Sequence, residues 1–235
     1  MLLAVDKPQG LTSFTVIRAL RRELGEKKIG HSGTLDPMAT GLMLIATGKD
    51  TKKLNALIGL DKIYETTIDF SKKSDTRDLE YREYFEELKK EDLKIWISQQ
   101  EIEKTLNTLI PSCELPLPDF SAKKRNGERL YELARKGKKT HETKIMQTHA
   151  FTILDYQFPL LSLRFEVGSW TYIRSLGHRL GEQLGVGGIL TKLRRICIGS
   201  YDLRALSLDK KGYFYPKEWE PLEINYTILE ENPDF

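Results

Sequence analysis

At 235 residues, with 40% hydrophobic content, the chain is long enough to bury a substantial core. Its net charge of +3 and pI near 8.6 permit an anionic partner without requiring one. The opening MLLAVDKPQG carries Asp6 and Pro8 and no apolar run long enough for a signal peptide or a spanning helix, so a cytoplasmic protein with no membrane association is expected. In chain order, Thr12 or Ser13 is placed to cap a helix carrying Val16, Ile17, Leu20 and Leu24 on one face, and Gly25 stops it. A turn-rich stretch, GHSGTLDPMATG (Gly30 to Gly41), follows and leads into LMLIA (Leu42 to Ala46), which fits a buried strand. YETTIDF (Tyr64 to Phe70) puts Tyr64, Thr66, Ile68 and Phe70 on one face of another strand.

From Lys72 to Lys94 the chain is dense in charge and poor in aliphatics, which predicts an excursion over the surface. Ser98 and Glu101 form a capping box ahead of a helix bearing Ile102, Leu106 and Leu109, which Pro111 forbids from continuing. CELPLPDF is an extended proline segment, and a helix is expected around Leu130 to Arg135, ending at Gly137. LLSLRFEV (Leu160 to Val167) alternates apolar and polar residues as a half-buried strand does. Thr171 opens a helix with Ile173, Leu176, Leu180 and Leu184 on one face, closed by Gly185. Strands and helices mix without regular βαβ alternation, so an α+β fold is favoured. No repeat, low-complexity tract or linker divides the chain, and one domain over 1–235 is the simpler expectation.

Several chemistries drop out on spacing. GLMLIATGKD would need a glycine at Met43 and a hydroxyl at Asp50 to be a phosphate-binding loop, and GVGGIL lacks the third glycine of a dinucleotide fingerprint. Cys113 and Cys197 are far apart, with no CxxC and no clustered histidines, so neither a zinc site nor a disulfide framework is implied. Basic residues crowd into KKRNGER, ARKGKK and TKLRR; any one run reads as solvated surface, but the three together favour an anionic partner. Asp36 stands alone among small residues and turn formers. On spacing alone the commoner role for such an aspartate is to cap nearby backbone. A reactive carboxylate among apolar atoms would need a cation beside it, and Arg174 is a candidate.

LAVDKPQGLTS, GHSGTLDPMATGLMLIATGKDTK, DKIYETTIDF, SDTRD, FSAKKRNGERLYELARKG and TYIRSLGHRLGEQLG running into LRRICIGSY together resemble the TruB family of tRNA pseudouridine synthases, in that family's order over roughly the first two hundred residues. The resemblance implies the pseudouridine synthase fold, an α+β arrangement with a mixed, mainly antiparallel central sheet flanked by helices and loops. It also implies an isomerase that converts uridine 55 of the tRNA T-loop to pseudouridine without a cofactor. It assigns the nucleophile to Asp36, a base-stacking tyrosine that assists proton transfer to Tyr64, and the arginine that pairs with the nucleophile to Arg174. RNA contacts fall to His31, beside the flipped nucleotide, to Lys123, Lys124 and Arg129 in a thumb-like loop at about 118–140, and to Arg194, with Arg195 adding to the field. Attack at uracil C6 and attack at ribose C1' both remain open.

The sequence departs from the family pattern at Ser169-Trp170, where a Lys-Gly pair is usual, at Phe120, where tyrosine is common, and in the charge-dense Lys72 to Lys94 stretch. About thirty-five residues follow Tyr201, so a C-terminal PUA domain is not expected. The expected partner is the T-arm of tRNA, bound by a monomer with no obligatory protein partner. A tRNA-folding chaperone is the alternative of a different class, and a guide-RNA-dependent relative is disfavoured by the short C-terminus.

Overall fold

The computed structural model describes residues 1–74, 76–78, 85–88, 97–118, 121, 124–125, 128–130, 134, 142–214 and 222–229. In chain order the elements are β1 (Leu2–Lys7), α1 (Ser13–Leu24), β2 (Ile29–His31), β3 (Thr40–Thr47), a 3-10 turn (Gly48–Lys53), α2 (Leu54–Gly59), β4 (Lys62–Asp69), β5 (Lys72–Ser74) and β6 (Phe85–Glu87). They continue as α3 (Gln99–Asn107), β7 (Ser112–Pro116), β8 (Lys124–Arg125), β9 (Glu128–Arg129), β10 (Thr143–Gln157), β11 (Leu160–Val167) and α4 (Ile173–Leu184). The described chain closes with β12 (Ile189–Ile198), β13 (Tyr201–Asp202), β14 (Lys210–Phe214) and β15 (Leu222–Leu229). Mixed, mainly antiparallel strands with helices make the α+β class expected above.

Two compact units are formed, one from Met1–Ile63 with Leu193–Phe235 and the other from Tyr64–Lys192. The boundaries fall inside β4 and β12 rather than in a linker, in keeping with a sequence that offers no linker composition.

In the first unit the strand order is β14-β15-β1-β3-β12. β3 pairs antiparallel with β1, Leu2 opposite Ala46, and parallel with β12, Arg194 opposite Thr40 and Arg195 opposite Gly41. It is buried along nearly its whole length, which explains why LMLIA is a continuous apolar run rather than an alternating one. Thr12 caps α1, its Oγ1 accepting the Thr15 N–H at 3.0 Å, and Gly25 ends the helix at φ 65, a left-handed value that suits glycine. Ser13, the other candidate cap, is used elsewhere.

In the second unit the order is β12-β4-β11-β10-β7. Tyr64, Thr66 and Ile68 lie on the buried face of β4, as the period-two pattern predicts, and Leu161, Leu163, Phe165 and Val167 do the same on β11. The Ser98–Glu101 capping box is present, with Ile102 and Leu106 buried on α3. The start of α4 differs from expectation. Its N-cap is Tyr172 and not Thr171, whose hydroxyl donates to Gln147 O at 3.1 Å. Gly181 lets α4 approach the 187–188 loop closely, since a Cβ there would lie 2.1 Å from Gly187 O.

Within the Lys72 to Lys94 stretch, β5 and β6 pair antiparallel as a two-stranded sheet of their own, Lys72 opposite Glu87. The rest of that stretch, the helix expected around Leu130 to Arg135 apart from Leu130 and Ala134, Phe120, and most of the thumb-like loop lie outside the described residues.

Candidate active site

Asp36 sits half-buried in the loop that joins β2 to β3, between Leu35 and Met38, which are buried. The main chain around it is tied down from three directions. Ser13, the first residue of α1, takes the Leu35 N–H on its Oγ at 2.8 Å and donates its hydroxyl to Leu35 O at 3.0 Å. Fully buried Lys7, at the end of β1, donates its ammonium to Pro37 O at 3.2 Å and to Pro8 O at 2.9 Å, and the Gly10 N–H reaches the same Pro37 carbonyl at 2.8 Å. The DKPQG and LTS segments of the N-terminus therefore belong with GTLDP because they supply its supports.

The third support is Arg195, 1% exposed on β12. Its Nε donates to Leu42 O at 2.7 Å and its Nη2 to Gly33 O at 3.1 Å, so one planar guanidinium spans both ends of the Asp36 loop. The strands pass close enough here that a Cβ on Gly41 would fall 2.2 Å from Arg195 O, and Gly41 holds φ 103. At the aspartate itself, the Ala39 N–H bonds the Asp36 main-chain oxygen at 3.0 Å, closing a turn with Pro37 at its second position. That backbone bond closes the turn.

His31, at the end of β2, accepts the Gly33 N–H on Nδ1 at 3.2 Å, which leaves the proton of the neutral ring on Nε2. Burial, and then the Arg195 charge, lower its pKa from the ordinary 6.5. Lys62 feels the same two influences. Burial first and Arg195 second, opposed by Asp61, bring its ammonium down to about 8, and it donates to Ile58 O and Leu60 O at the end of α2. Arg194 points differently from its neighbour: it forms a two-pronged pair with Asp6, at 3.0 and 2.8 Å, and a 3.3 Å bond to Thr40 Oγ1.

In the second unit, Tyr64 is 9% exposed on β4. Arg174 is the second residue of α4 and is 3% exposed, so it is not a surface helix cation. Its Nη1 donates to Thr76 O at 2.9 Å and lies 3.2 Å from the carboxylate of fully buried Asp78. The SDTRD segment is therefore the local support of Arg174. Arg77 strengthens it from φ 63, donating to Pro116 O at 3.0 Å and to Ser175 Oγ at 3.3 Å.

Asp36, His31 and Arg194 thus fall in the first unit, and Tyr64 and Arg174 in the second. Lys123 lies outside the described residues; Lys124 and Arg129 stand opposite each other in the β8–β9 register. Reading residues by type missed Ser13 as a loop support, Asp78 as the Arg174 partner and Arg195 as a buried clamp. The one available signal for Arg195 was its place in LRRICI, where a strand read at period two sends adjacent arginines to opposite faces.

Residues 21–173 match the model of the TruB family of pseudouridylate synthases, N-terminal domain. The chain is 42% identical over 216 residues to tRNA pseudouridine synthase B of Chlorobaculum tepidum, covering 88% of this chain and 87% of that protein. It is 36% identical over 203 residues to the protein of the same name from Fusobacterium nucleatum, covering 86% and 69%. Among solved structures, the crystal structure of a Cbf5-Nop10-Gar1 complex matches with a TM-score of 0.65 at 24% identity over 86% of this chain. That likeness is one of fold, and the chain spans about half, 49%, of the solved chain.

Proposed function

The chain belongs to the TruB family of pseudouridylate synthases, and we propose that it isomerises uridine 55 in the T-loop of tRNA to pseudouridine with Asp36 as the nucleophile. It is then an isomerase, an intramolecular transferase, that breaks the C1'–N1 bond and makes a C1'–C5 bond while the C5 proton passes to solvent and N1 takes up one in its place. The carboxylate adds to the nucleoside and leaves again, so no redox cofactor or nucleotide is consumed. Relatives sharing about 40% identity over most of their length and named tRNA pseudouridine synthase B support the activity.

The observation that carries Asp36 is the anchoring of its loop. Lys7, Ser13 and Arg195 hold the backbone on both sides of the aspartate. A reagent must be aimed to within a fraction of an ångström, whereas a mere turn former need not be. Tyr64 is assigned to stack on the extruded base and assist proton transfer, and Arg174 to act as the counter-charge of the nucleophile, both on the family resemblance. His31, Lys123, Lys124, Arg129 and Arg194 are assigned to the RNA, whose base must be unstacked at a cost of a few kcal/mol that such contacts offset. The 235 residues are read as one catalytic domain acting as a cytoplasmic monomer on the tRNA T-arm, without an obligatory protein partner. Among the described residues no helix is long and apolar enough to cross a membrane.

The test is tritium release from an unmodified tRNA transcript labelled at uracil C5, with purified protein alone, beside a transcript carrying cytidine at position 55. Release from the first that is matched by one new pseudouridine at position 55, with none there in the second, is the expected result. Failure to release tritium despite tRNA binding would overturn the stand-alone enzyme reading in favour of a chaperone.

A further inference from the structure

The turn between β11 and α4 holds a residue that its backbone would not select. Trp170 sits at φ 65, in the left-handed region that disfavours a side chain, and yet its indole is 60% exposed and so is not retained for core packing. The turn itself is secured by other atoms. Gly168 N–H bonds Gln147 O at 3.0 Å, the Thr171 hydroxyl shares that carbonyl at 3.1 Å, and Tyr172 N–H meets Met146 Sδ at 3.4 Å. A glycine at position 170 would satisfy every one of these contacts. What the indole does have is a cation: the Lys144 ammonium, from β10, stands 5.4 Å from the ring centroid.

We propose that Trp170 and Lys144 form an RNA-contact subsite in which the indole stacks on an unpaired nucleobase of the substrate and the Lys144 ammonium neutralises the adjoining phosphate. This rests on the RNA substrate proposed above. An aromatic plane beside a cation is the combination that single-stranded nucleic acid requires, because every base offers a π face and every linkage a charge. A membrane or an apolar protein surface would instead select a contiguous hydrophobic patch, and the companion of this indole is an ammonium. The subsite lies four residues before Arg174 along the chain, so a base held there is held next to the segment that enters α4.

The experiment compares wild type with Trp170→Gly, Trp170→Phe and Lys144→Gln on an unmodified tRNA transcript, using steady-state tritium release, equilibrium binding, tryptophan fluorescence and thermal melting. Trp170→Gly is expected to melt no lower than wild type and to raise KM on the order of tenfold, with the effect on KM rather than kcat. Trp170→Phe should keep most of the affinity but lose the fluorescence quench that RNA causes in the wild type. Lys144→Gln should reduce the salt slope of binding by about one. An active wild type whose KM and salt slope are unchanged by these substitutions, or whose quench survives in Trp170→Phe, overturns the subsite alone. A wild type that neither binds the transcript nor releases tritium overturns the RNA reading, and the subsite with it.

Discussion

The Asp36 loop and the Trp170 turn are both short irregular segments leading out of strands, and they are held in opposite ways. The first is clamped by buried side chains from three separate elements, Lys7, Ser13 and Arg195, and its neighbours Leu35 and Met38 are packed away from water. The second is held by a mixture of backbone bonds and contacts of the Thr171 hydroxyl and Met146 Sδ, with no buried charged clamp among them, and leaves a large side chain in solvent, in a conformation that costs energy. A group that must attack one atom benefits from a rigid mount, while a group that meets a flexible polymer benefits from an accessible, adjustable face. On the roles proposed for Asp36 and Trp170, the difference is a division of labour between reagent and grip.

That contrast can be broken experimentally, most severely at Arg195. Arg195→Met leaves Gly33 O and Leu42 O without their buried donor, and a loss of roughly 2–4 kcal/mol in denaturant unfolding is expected. In the folded variant kcat should fall by about a hundredfold, because the loop that aims Asp36 is no longer spanned. Arg195→Lys, which keeps the charge and not the fork, should recover little of it. Ser13→Ala strands one N–H and one carbonyl at Leu35, so about 1–3 kcal/mol of stability and a smaller share of kcat should be lost.

Trp170→Gly should move stability the other way, if at all. Relief of a left-handed side chain is worth about 1–2 kcal/mol, offset by glycine's extra chain entropy of roughly 0.5–1 kcal/mol. Arg194→Ala tests the exposed neighbour of the clamp: its pair with Asp6 should contribute no more than about 1 kcal/mol, and less at high salt.

The smallest expected effect is a pH dependence. His31 has its pKa lowered by folding, chiefly through burial. The unfolded chain then binds more protons than the folded one between the folded value and 6.5, so stability falls as pH drops through that window and levels off below it. His31→Gln should remove this share of the slope measured by urea unfolding at several pH values, leaving the share of His178, whose pKa burial also lowers.

Local signals carried the elements whose stability is local. The capped, amphipathic α1 and α3 and the alternating β11 were legible because their own residues declare the face they bury. β10 was not: over fifteen residues only Met146 and Thr148 are buried, so a long strand is maintained by backbone pairing with β7 and β11 and shows no apolar period. The same limit applied to the site. GTLDP marked Asp36 through the family resemblance, but Ser13, Asp78 and Arg195 matter through partners distant in sequence, and only the fold reveals those pairings. Arg195 in particular read as one more surface cation in a basic run, whereas its strand carries it under the loop.

The central claim, that the clamped aspartate is the reagent, is tested most directly by single-turnover tritium release with Asp36→Asn at protein concentrations that saturate the tRNA. The substitution keeps shape and removes the nucleophilic oxygen's charge, and tRNA affinity measured alongside should be close to that of wild type. Intact binding with no release above background is the predicted result. Release at a rate near that of wild type would contradict the account and return Asp36 to the role of an ordinary turn residue.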